Sequence, residues 1–298
     1  MQRLLLTGAN GFLGRNILPL LKKEGYDISI LDIAHADIEV NLSKEIPRFG
    51  QKYDIVLHTA GKAHVVPKIE TEKQAFFDVN YQGTVNLCKA LEQLELPKSF
   101  IFISTVAVYG RETGENITED YPLNGDTPYA LSKIQAEQYL MKWCEKNQII
   151  LSILRPSLIA GSNPPGNLGA MIRGIKSGFY LNIDGGKAKK SVLMVQDIAN
   201  LVPLLAEKGG IYNVCDDEQP SFGQIAELIS KQLGKRKPFS IPYFVAKAMA
   251  ICGDLLGNKA PINSDKLAKI IQSHTFSNKK AKENLGWQPI NVLDNFVI

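Results

Sequence analysis

Short apolar runs alternate with longer helical patterns through the first half of this chain. Runs of strand length, rich in Ile, Leu and Val, occupy Arg3 to Leu6, Asp27 to Leu31, Ile55 to His58, Ser99 to Ile103 and Ile150 to Leu154. Helical patterns fill the intervals at Gly11 to Glu24, Thr71 to Leu94 and Pro128 to Asn147. Strands joined by such helices imply right-handed crossovers. The pattern therefore predicts an α/β fold, a doubly wound parallel sheet with helices on both faces.

The pattern changes after Arg155. A loop rich in Pro, Gly and Asn covers Gly161 to Leu168, and the chain beyond it mixes short helices with isolated strands. A strand and a helix within Ser191 to Ala206, and a strand from Gly210, are predicted to rejoin the sheet. We predict a domain of residues 1–160 and about 187–214, and a smaller mixed C-terminal lobe of residues 161–186 and 215–298. The lobe's helical patterns are Gln219 to Leu233 and Pro242 to Gly257.

Composition and charge are those of an ordinary globular protein. The 298 residues are 45% hydrophobic and 21% charged, with a formal net charge of +4. Basic residues are scattered except for Lys187, Lys189 and Lys190 and the run from Lys235 to Lys237. No nucleic-acid surface is therefore indicated, although a local phosphate site stays open.

The cysteines and the apolar stretches indicate a reduced, cytoplasmic protein. Cys88, Cys144, Cys215 and Cys252 lie far apart and form no C-x-x-C pair, so neither a metal site nor a redox pair is expected. The first apolar run ends at a glycine turn and lacks the form of a signal peptide. The stretch from Ile241 to Leu256 is too short to insert stably into a bilayer. It predicts an amphipathic helix packed on its own protein, with attachment to a membrane surface as the alternative.

The first strand runs into a glycine pattern that opens a helix. In Thr-Gly-Ala-Asn-Gly-Phe-Leu-Gly, Gly8 suits a tight turn, Gly11 close approach of a pyrophosphate and Gly14 close packing of helix on strand. The N–H groups at the helix start can bind phosphate oxygens. Asp32, at the end of the second strand, would accept the adenosine ribose hydroxyls. Because Ile33, Ala34 and His35 supply no arginine for a 2′-phosphate, NAD is favoured over NADP as the cofactor.

A tyrosine and a lysine stand four residues apart in Thr-Pro-Tyr-Ala-Leu-Ser-Lys, residues 127–133. On a helix, Tyr129 and Lys133 share a face. The ammonium is expected to favour the phenolate and to lower the tyrosine pKa below its usual value of about 10. Such a tyrosine can serve as an acid and a base.

With these motifs the chain resembles the extended short-chain dehydrogenase/reductase family, most closely its nucleotide-sugar epimerases and reductases. The resemblance rests on TGANGFLG, His58-Thr-Ala-Gly61, Val79-Asn80, the segment from Ser104 to Gly110 and the Tyr129–Lys133 pair. It continues through Leu154-Arg-Pro156, the loop from Gly161, the segment from Lys190 to Asp197 and Leu285-Gly-Trp-Gln-Pro289. It implies a Rossmann fold that binds NAD and a nucleoside-diphosphate sugar, expected to be UDP-linked, and a homodimer formed through the helices that start near Thr71 and Pro128.

The resemblance also implies roles for particular residues. Thr105, Tyr129 and Lys133 would be catalytic, with Tyr129 as the acid and base and Thr105 bonded to the reacting sugar oxygen. An Asp-Leu pair that often meets the adenine is replaced here by Asn41 and Leu42. The substrate would contact Thr105, Tyr129, Asn167, Leu168, Lys190 and His64. The cofactor would contact Gly8, Asn10, Gly11, Phe12, Leu13, Gly14, Asp32, Ile33, Asn41, Leu42, Ala60, Gly61, Asn80, Tyr129, Lys133 and Pro156.

The resemblance leaves the reaction open. The favoured hypothesis is a 4-epimerase, since Asp32 suits the retained NAD of an epimerase. The alternative is an NAD(P)H-dependent reductase of a nucleotide-linked 4-keto-6-deoxy sugar, and a non-catalytic dinucleotide-binding regulator is a third. Dehydration is disfavoured because Val106 and Ala107 stand where the 4,6-dehydratases carry Asp and Glu. His58, at the end of a strand, is expected to be a packed, hydrogen-bonded residue.

Overall fold

The structure is a computed structural model that describes residues 1–255 and 262–298. The strands are β1 (Arg3–Thr7), β2 (Asp27–Asp32), β3 (Ile38–Glu39), β4 (Ile55–His58), β5 (Ser99–Ile103), β6 (Gly114–Ile117), β7 (Ile150–Pro156), β8 (Leu158–Ala160), β9 (Asn182–Ile183), β10 (Val192–Met194), β11 (Gly210–Val214), β12 (Ser240–Ile241) and β13 (His274–Phe276). The α-helices are α1 (Phe12–Lys23), α2 (Glu70–Phe77), α3 (Gly83–Leu91), α4 (Pro128–Lys146), α5 (Gly166–Lys176), α6 (Val195–Lys208), α7 (Phe222–Gln232), α8 (Tyr243–Asp254), α9 (Ser264–Ile271), α10 (Lys279–Leu285) and α11 (Val292–Asn295).

The main sheet confirms the predicted doubly wound fold. Seven strands lie in the order β11-β7-β5-β4-β1-β2-β3, and every pairing is parallel. Side chains alternate across the sheet: Leu4 and Leu6 pack on the face covered by α1 and α6, and Leu5 on the face covered by α3 and α4. The carboxyl ends of β1, β4 and β5 therefore meet at one edge, where ligands bind in such sheets.

Two sequence predictions need correction. The strand within Ser191 to Ala206 does not rejoin the main sheet, because β7 already has β5 and β11 on its two sides; β10 pairs with β8 instead. The predicted helix from Thr71 to Leu94 is two helices, α2 and α3, joined by a π-helical turn at Asp78–Gln82. This turn carries Asn80, and such turns often occur at functional sites.

Helices and short strands outside the main sheet build smaller clusters of their own. One cluster joins α5, α7 and α11 through residues such as Met171, Ile229 and Val292. Another joins α8 and α9 to the β9–β12 pair. The predicted helix from Pro242 to Gly257 corresponds to α8, and its last two residues, 256 and 257, lie outside the described residues. The division into residues 1–160 with 187–214, and 161–186 with 215–298, stays a prediction.

Across the described ranges, 1–255 and 262–298, no helix is long and apolar enough to cross a bilayer.

Candidate active site

The glycine turn between β1 and α1 is built by close backbone contacts. Gly8 has a positive φ of 74°, and a side chain there would put its Cβ 2.6 Å from the Ala60 backbone. A Cβ on Gly14 would lie 2.4 Å from the Ala9 Cα, so α1 can approach β1 only because residue 14 is glycine. Gly11 is less crowded, with the Gly8 carbonyl 3.3 Å from its Cβ position. Gly11 thus leaves room for a ligand at the helix start.

Replacing Gly14 by alanine is expected to destabilise the protein by about 1–3 kcal/mol, because α1 must move away from β1. The matched control is Gly50→Ala, where nothing lies within 4 Å of the new Cβ. Urea unfolding of both variants measures the difference. Equal stability of Gly14→Ala and wild type would contradict the packing described for this turn.

Asp32 lines a cavity at the carboxyl ends of the strands. Its carboxylate accepts hydrogen bonds from the backbone N–H groups of Asn10 (2.9 Å) and Ile33 (2.7 Å). The Asn10 side chain donates to the Ala34 carbonyl (2.6 Å), which ties the glycine turn to the end of β2. The cavity has a volume of ≈ 570 Å³, within the usual range for cofactor sites. It is lined by Gly8, Asn10, Gly11, Arg15, Leu31, Asp32, Ile33, Ala34, His35, Val40, Asn41, Leu42, Ser43, Thr59, Ala60, Gly61 and Val79.

The cavity brings together most of the predicted cofactor residues and adds others. Arg15 and His35 line it and were not predicted. Arg15 follows Gly14 in the first turn of α1. This position beside the glycine turn is the sequence feature that could have indicated a place in the cavity wall. Its presence weakens the argument that an arginine for a 2′-phosphate is missing. Of the predicted cofactor residues, the cavity lining does not include Phe12, Leu13, Gly14, Asn80, Tyr129, Lys133 and Pro156.

Asn41 and Leu42 lie in the cavity wall for different reasons. The Asn41 side-chain oxygen accepts hydrogen bonds from the backbone N–H (3.1 Å) and the hydroxyl (2.7 Å) of Ser43, which fixes the loop. Leu42 is buried, and its carbonyl accepts a hydrogen bond from the Asn86 amide (2.8 Å). The loop is therefore held in place without a ligand.

Asn80 is a clamp between two parts of the site. Its side-chain oxygen accepts from the Lys62 N–H (2.7 Å), and its amide donates to the Lys62 carbonyl (3.1 Å) and the Ser132 hydroxyl (2.9 Å). Ser132 belongs to the first turns of α4 and in turn donates to the Tyr129 carbonyl (2.8 Å). Asn80 thus fixes the loop after Gly61 against the helix that carries Tyr129. Pro156 is buried at the end of β7, beside β11.

His58 is a packed residue in the structure, as expected. Its two ring nitrogens lie 2.7 Å from the Thr7 hydroxyl and 2.9 Å from the Thr84 hydroxyl. Burial, together with the charge of Lys133, lowers the pKa of His58 to about 3. A neutral imidazole with a hydrogen bond at each ring nitrogen is suited to holding β1 and α3 together.

Thr105 and Tyr129 meet above the end of β5. Thr105 follows β5 and caps the short helix Val106–Tyr109, where its hydroxyl accepts from the Ala107 N–H (3.2 Å). Thr127 caps α4 by accepting from the Ala130 N–H (3.2 Å), and Pro128 begins the helix. This places Tyr129 in the first turn. Burial raises the pKa of Tyr129, and its interaction with the Thr105 side chain opposes that rise only in part.

The Lys133 ammonium lies between the cofactor cavity and the sheet. It donates to the Ile103 carbonyl (2.8 Å), stands 4.5 Å from the centre of the Phe102 ring, and is 3.3 Å from the Cβ position of Gly61. Burial lowers the pKa of Lys133 to about 8, and Glu137 opposes this shift. The expectation that Lys133 lowers the pKa of Tyr129 is wrong for this arrangement, because the ammonium is bound to a backbone carbonyl and burial dominates at the phenol.

Removal of the Lys133 charge should stabilise the cofactor-free protein. Lys133 has a pKa of about 8 in the folded protein and 10.5 in the unfolded chain. Below pH 8 the folded state therefore carries a proton that it binds less tightly than the unfolded state does. This cost fades as the pH rises towards 10.5. We expect Lys133→Met to gain up to about 3 kcal/mol near pH 7 and little near pH 10.

Urea unfolding at the two pH values measures this gain. The matched control is Lys142→Met, an exposed lysine on the same helix, which should change stability little at either pH. A loss of stability in Lys133→Met that is equal at both pH values would show that packing, rather than charge, governs this position.

A buried ionic network supports the catalytic strand end. Arg155 donates to both Glu137 oxygens, through Nε (3.1 Å) and Nη2 (2.6 Å), and to the Tyr109 hydroxyl (3.1 Å). The Ser104 hydroxyl donates to the same Glu137 carboxylate. Glu137 lies one helical turn beyond Lys133, and Ser104 immediately precedes Thr105. The sequence motifs gave Arg155 no role, and its pairing with Glu137 was missed.

The predicted substrate residues occupy different environments. Gly166, at the start of α5, has a φ of 61°, and a Cβ there would lie 2.9 Å from the His64 ring. Partial burial lowers the pKa of His64. The loop carrying His64 therefore touches the helix carrying Asn167, which is exposed. Leu168 is buried in the cluster with Met171 and Ile175, so its side chain is a packing group.

Lys190 has partners inside the protein. Its ammonium donates to the carbonyls of Lys269 (3.2 Å) and Gln272 (3.1 Å) at the end of α9. Burial lowers its pKa, and Glu112 opposes the shift. A substrate diphosphate would have to compete with these carbonyls for Lys190.

In the described part of the chain, no group of three or more His, Cys, Asp and Glu side chains could hold a metal ion.

The fold and the cavity define a class of protein: enzymes that hold a nicotinamide dinucleotide across the carboxyl ends of a parallel sheet and exchange hydride with a substrate beside it. A sequence model of the NAD dependent epimerase/dehydratase family matches residues 4–215, and the chain belongs to this family. It is an epimerase or reductase of sugar nucleotides within the extended short-chain dehydrogenases/reductases. The binding-only alternative is therefore disfavoured.

Similar proteins cover nearly the whole chain. The N-acetyl-alpha-D-glucosaminyl-diphospho-ditrans,octacis-undecaprenol 4-epimerase of Escherichia coli O157:H7 is 27% identical over 93% of this chain and 87% of its own length. A UDP-glucose 4-epimerase of Vibrio cholerae is 28% identical, covering 97% and 92%. A GDP-6-deoxy-D-mannose reductase of Pseudomonas aeruginosa is 27% identical, covering 77% and 79%. The structure of a Thermotoga maritima UDP-glucose 4-epimerase with UDP-glucose has the same fold, with a TM-score of 0.75 at 19% identity, covering 99% of this chain and 96% of that one.

Proposed function

We propose that the protein is an NAD-dependent 4-epimerase of a UDP-linked hexose. One observation carries the proposal: the Lys133 ammonium lies 3.3 Å from the Cβ position of Gly61, and Gly61 lines the same cavity as Asp32. A dinucleotide with its adenosine ribose at Asp32 would bring its nicotinamide end to Lys133 and Tyr129. Sequence similarity to two 4-epimerases supports the same reaction.

The residues of the cavity fit a dinucleotide. Asp32 offers a carboxylate to ribose hydroxyls, the first turn of α1 offers backbone N–H groups to a pyrophosphate, and Gly11 leaves space there. A carboxylate at the ribose repels a 2′-phosphate, which favours NAD. Asn41 and Leu42, in the wall of the same cavity, would lie at the adenine.

The chain's own residues handle the proton. A bound nicotinamide ring would supply reversible hydride exchange with C4 of the sugar. Tyr129, as phenolate, takes the proton of the sugar 4-hydroxyl, and Thr105 donates a hydrogen bond to that oxygen. Burial raises the pKa of Tyr129, so the proposed mechanism requires that the phenolate be stabilised in the ternary complex with cofactor and sugar. The 4-keto sugar then rotates and presents its other face. When C4 takes the hydride back on that face, Tyr129 returns the proton to the 4-oxygen.

Dehydration finds no support in the residues beside Thr105. Val106 and Ala107 follow it in the short helix, and neither side chain can move a proton. The exposed Asn167 and His64, at the contact between α5 and the loop after β4, are the groups we propose for the nucleotide sugar.

The test is incubation of the purified protein with NAD and a panel of UDP-hexoses, starting with UDP-glucose. We expect the 4-epimer to form until the two sugars reach equilibrium, with no net consumption of cofactor. If protein that binds NAD epimerises none of the UDP-hexoses in the panel, the proposal is overturned.

A reductase of a nucleotide-linked 4-keto-6-deoxy sugar is the second candidate, and Arg15 is the observation that favours it. Arg15 lines the same cavity as Asp32, where a guanidinium could pair with the 2′-phosphate of NADPH. The similarity to a GDP-6-deoxy-D-mannose reductase agrees with this candidate. Denaturing the purified protein separates the two: tightly held NAD in the supernatant supports epimerisation, whereas empty protein that consumes NAD(P)H with a 4-keto sugar supports reduction.

We also propose the expected setting of the enzyme: a homodimer in the cytoplasm that acts in polysaccharide biosynthesis. Leu131 and Met141 are exposed on α4, which together with the α2–α3 pair is the surface expected to form the dimer. Sedimentation velocity of wild type and Met141→Glu tests the dimer, since a charge in that interface should favour the monomer.

A further inference from the structure

The helix α8 faces the protein with its small side chains and the solvent with its large ones. Ala246, Ala250 and Gly253 form the buried stripe, which packs on the cluster around Ile183 and Leu267. Phe244 and Ile251 lie on the opposite side of the helix, and both are exposed. A helix that only packed on its own protein would bury the large apolar side chains instead. The outward face is thus suited to a partner outside the chain.

The segments that lead into the neighbouring β9–β12 pair add two exposed apolar side chains beside α8. The Asn182 N–H donates to the Phe239 carbonyl (2.9 Å), which places Leu181 and Phe239 side by side before the two strands. Because side chains alternate along a strand, Leu181 and Phe239 point to the side of Ile183 and Ile241, where α8 packs.

We use the term apolar surface for the exposed apolar side chains of α8 and of the segments that precede β9 and β12. Its members and their exposed fractions are Phe179 (87%), Leu181 (43%), Phe239 (81%), Phe244 (72%) and Ile251 (56%). Single exposed apolar residues need no explanation, but a group of this size marks a site of interaction.

Basic residues lie close to the residues of the apolar surface in the sequence. Lys176 lies just before Phe179, Lys235 and Arg236 precede Phe239, and Lys247 lies on α8 between Phe244 and Ile251. In the described residues, none of these four cations forms an ion pair; the nearby acids Glu227 and Asp254 are bonded to Lys237 and Ser264. These four cations would therefore suit an anionic partner of the apolar surface.

We propose that the apolar surface docks the protein on an anionic phospholipid bilayer. Phenylalanine, leucine and isoleucine side chains above the surface can enter the boundary between headgroups and acyl chains, while lysine and arginine contact the lipid phosphates. A second copy of the chain is a poorer fit, because a two-fold contact would bring the same unpaired cations together. The surface lies on the bilayer, and α8, with 12 residues, does not cross it.

Docking would also orient the proposed substrate site. The helix α5 begins at Gly166, beside His64, and Phe179 follows its end. Eleven residues of helix span about 16 Å. The bilayer would therefore meet the lobe at a short, fixed distance from Asn167.

The test is co-sedimentation of the full chain with vesicles of phosphatidylcholine alone and of phosphatidylcholine with phosphatidylglycerol. Wild type should bind the anionic vesicles, and binding should weaken as salt rises. Phe244→Ser with Ile251→Ser should lower the partition coefficient about tenfold or more, and Lys235→Gln with Arg236→Gln should lower it several-fold. The control Leu94→Ser, an exposed leucine after α3, should bind as wild type does.

Retained NAD binding and an unchanged thermal midpoint establish that the variants are folded. Cys252 is an exposed cysteine on α8, whereas Cys88, Cys144 and Cys215 are buried, so a polarity-sensitive fluorophore on Cys252 provides a second readout. Its emission should shift to the blue only with anionic vesicles. The proposal is overturned if folded wild type does not bind the anionic vesicles or if the Phe244 and Ile251 variant binds them equally well. It is also overturned if this variant of the apolar surface changes only the oligomeric state.

Discussion

We expect Tyr129→Phe to lower the turnover number about a thousandfold, within the range lost when a positioned acid or base is removed. The phenol is half-buried beside Thr105 in the first turn of α4, and no other titratable side chain in the proposed mechanism can exchange the proton of the sugar hydroxyl. Cofactor binding should persist, because the cavity lining does not include Tyr129. Steady-state kinetics with the substrate found in the UDP-hexose panel, and titration with NAD, give the two readouts.

Tyr139→Phe is the matched control. Tyr139 lies on the same helix, ten residues further along, and packs edge-on against Tyr81 with ring centres 6.3 Å apart, so loss of its hydroxyl should leave turnover unchanged. If Tyr129→Phe turns over every candidate sugar at the wild-type rate, the mechanism proposed for this site is wrong.

Glu137→Gln is expected to cost about 3–5 kcal/mol of folding free energy, the usual effect of removing one partner from a buried ion pair. The carboxylate is fully buried and bonds Arg155 through two nitrogens as well as the Ser104 hydroxyl. A neutral amide would leave the Arg155 guanidinium buried without a counter-charge. Urea unfolding near neutral pH measures the loss.

Two further variants make this expectation specific. Glu145→Gln removes an exposed carboxylate from the same helix and should change stability by less than about 0.5 kcal/mol. Replacing both partners, as Glu137→Leu with Arg155→Met, removes the unpaired charge and should recover much of the stability. A Glu137→Gln variant as stable as wild type would contradict the role given to the network.

The parts of the fold that follow from short-range pattern were predictable from sequence. The main strands were predictable because each is a short apolar run that lies between helices; β1, β4, β5 and β7 are largely buried, and β2 is partly buried. The glycine turn emerged because its three glycines serve contacts within one strand–helix unit. Asp32 followed from the same unit, at the end of its second strand.

Pairings between distant segments were not predictable in this way. Nothing local shows that β7 is flanked on both sides, so the pairing of β10 with β8 was missed. The sequence around Lys190 indicates a free cation in a basic loop. In the structure its ammonium donates to backbone carbonyls about 80 residues later in the chain. In each case the partner is fixed by tertiary packing.

The electrostatics of the site depend on burial in the same manner. The spacing of Tyr129 and Lys133 places both on one face of α4, but the sequence does not show that the Ile103 carbonyl accepts from the lysine. Desolvation of the phenol therefore outweighs the expected effect of the lysine on its pKa. Arg15 was missed for a related reason, since the first turn of α1 faces the loop after β2 only once the sheet has formed.

The most direct measurement of the central claim follows an isotope at the reacting carbon. The enzyme, with NAD, is incubated with a UDP-hexose that carries deuterium at C4, and the product is analysed by NMR and mass spectrometry. Hydride removal and return predict that the 4-epimer keeps its deuterium at C4, with none lost to water. A 4-epimer that carries solvent hydrogen at C4 would contradict hydride transfer at this site.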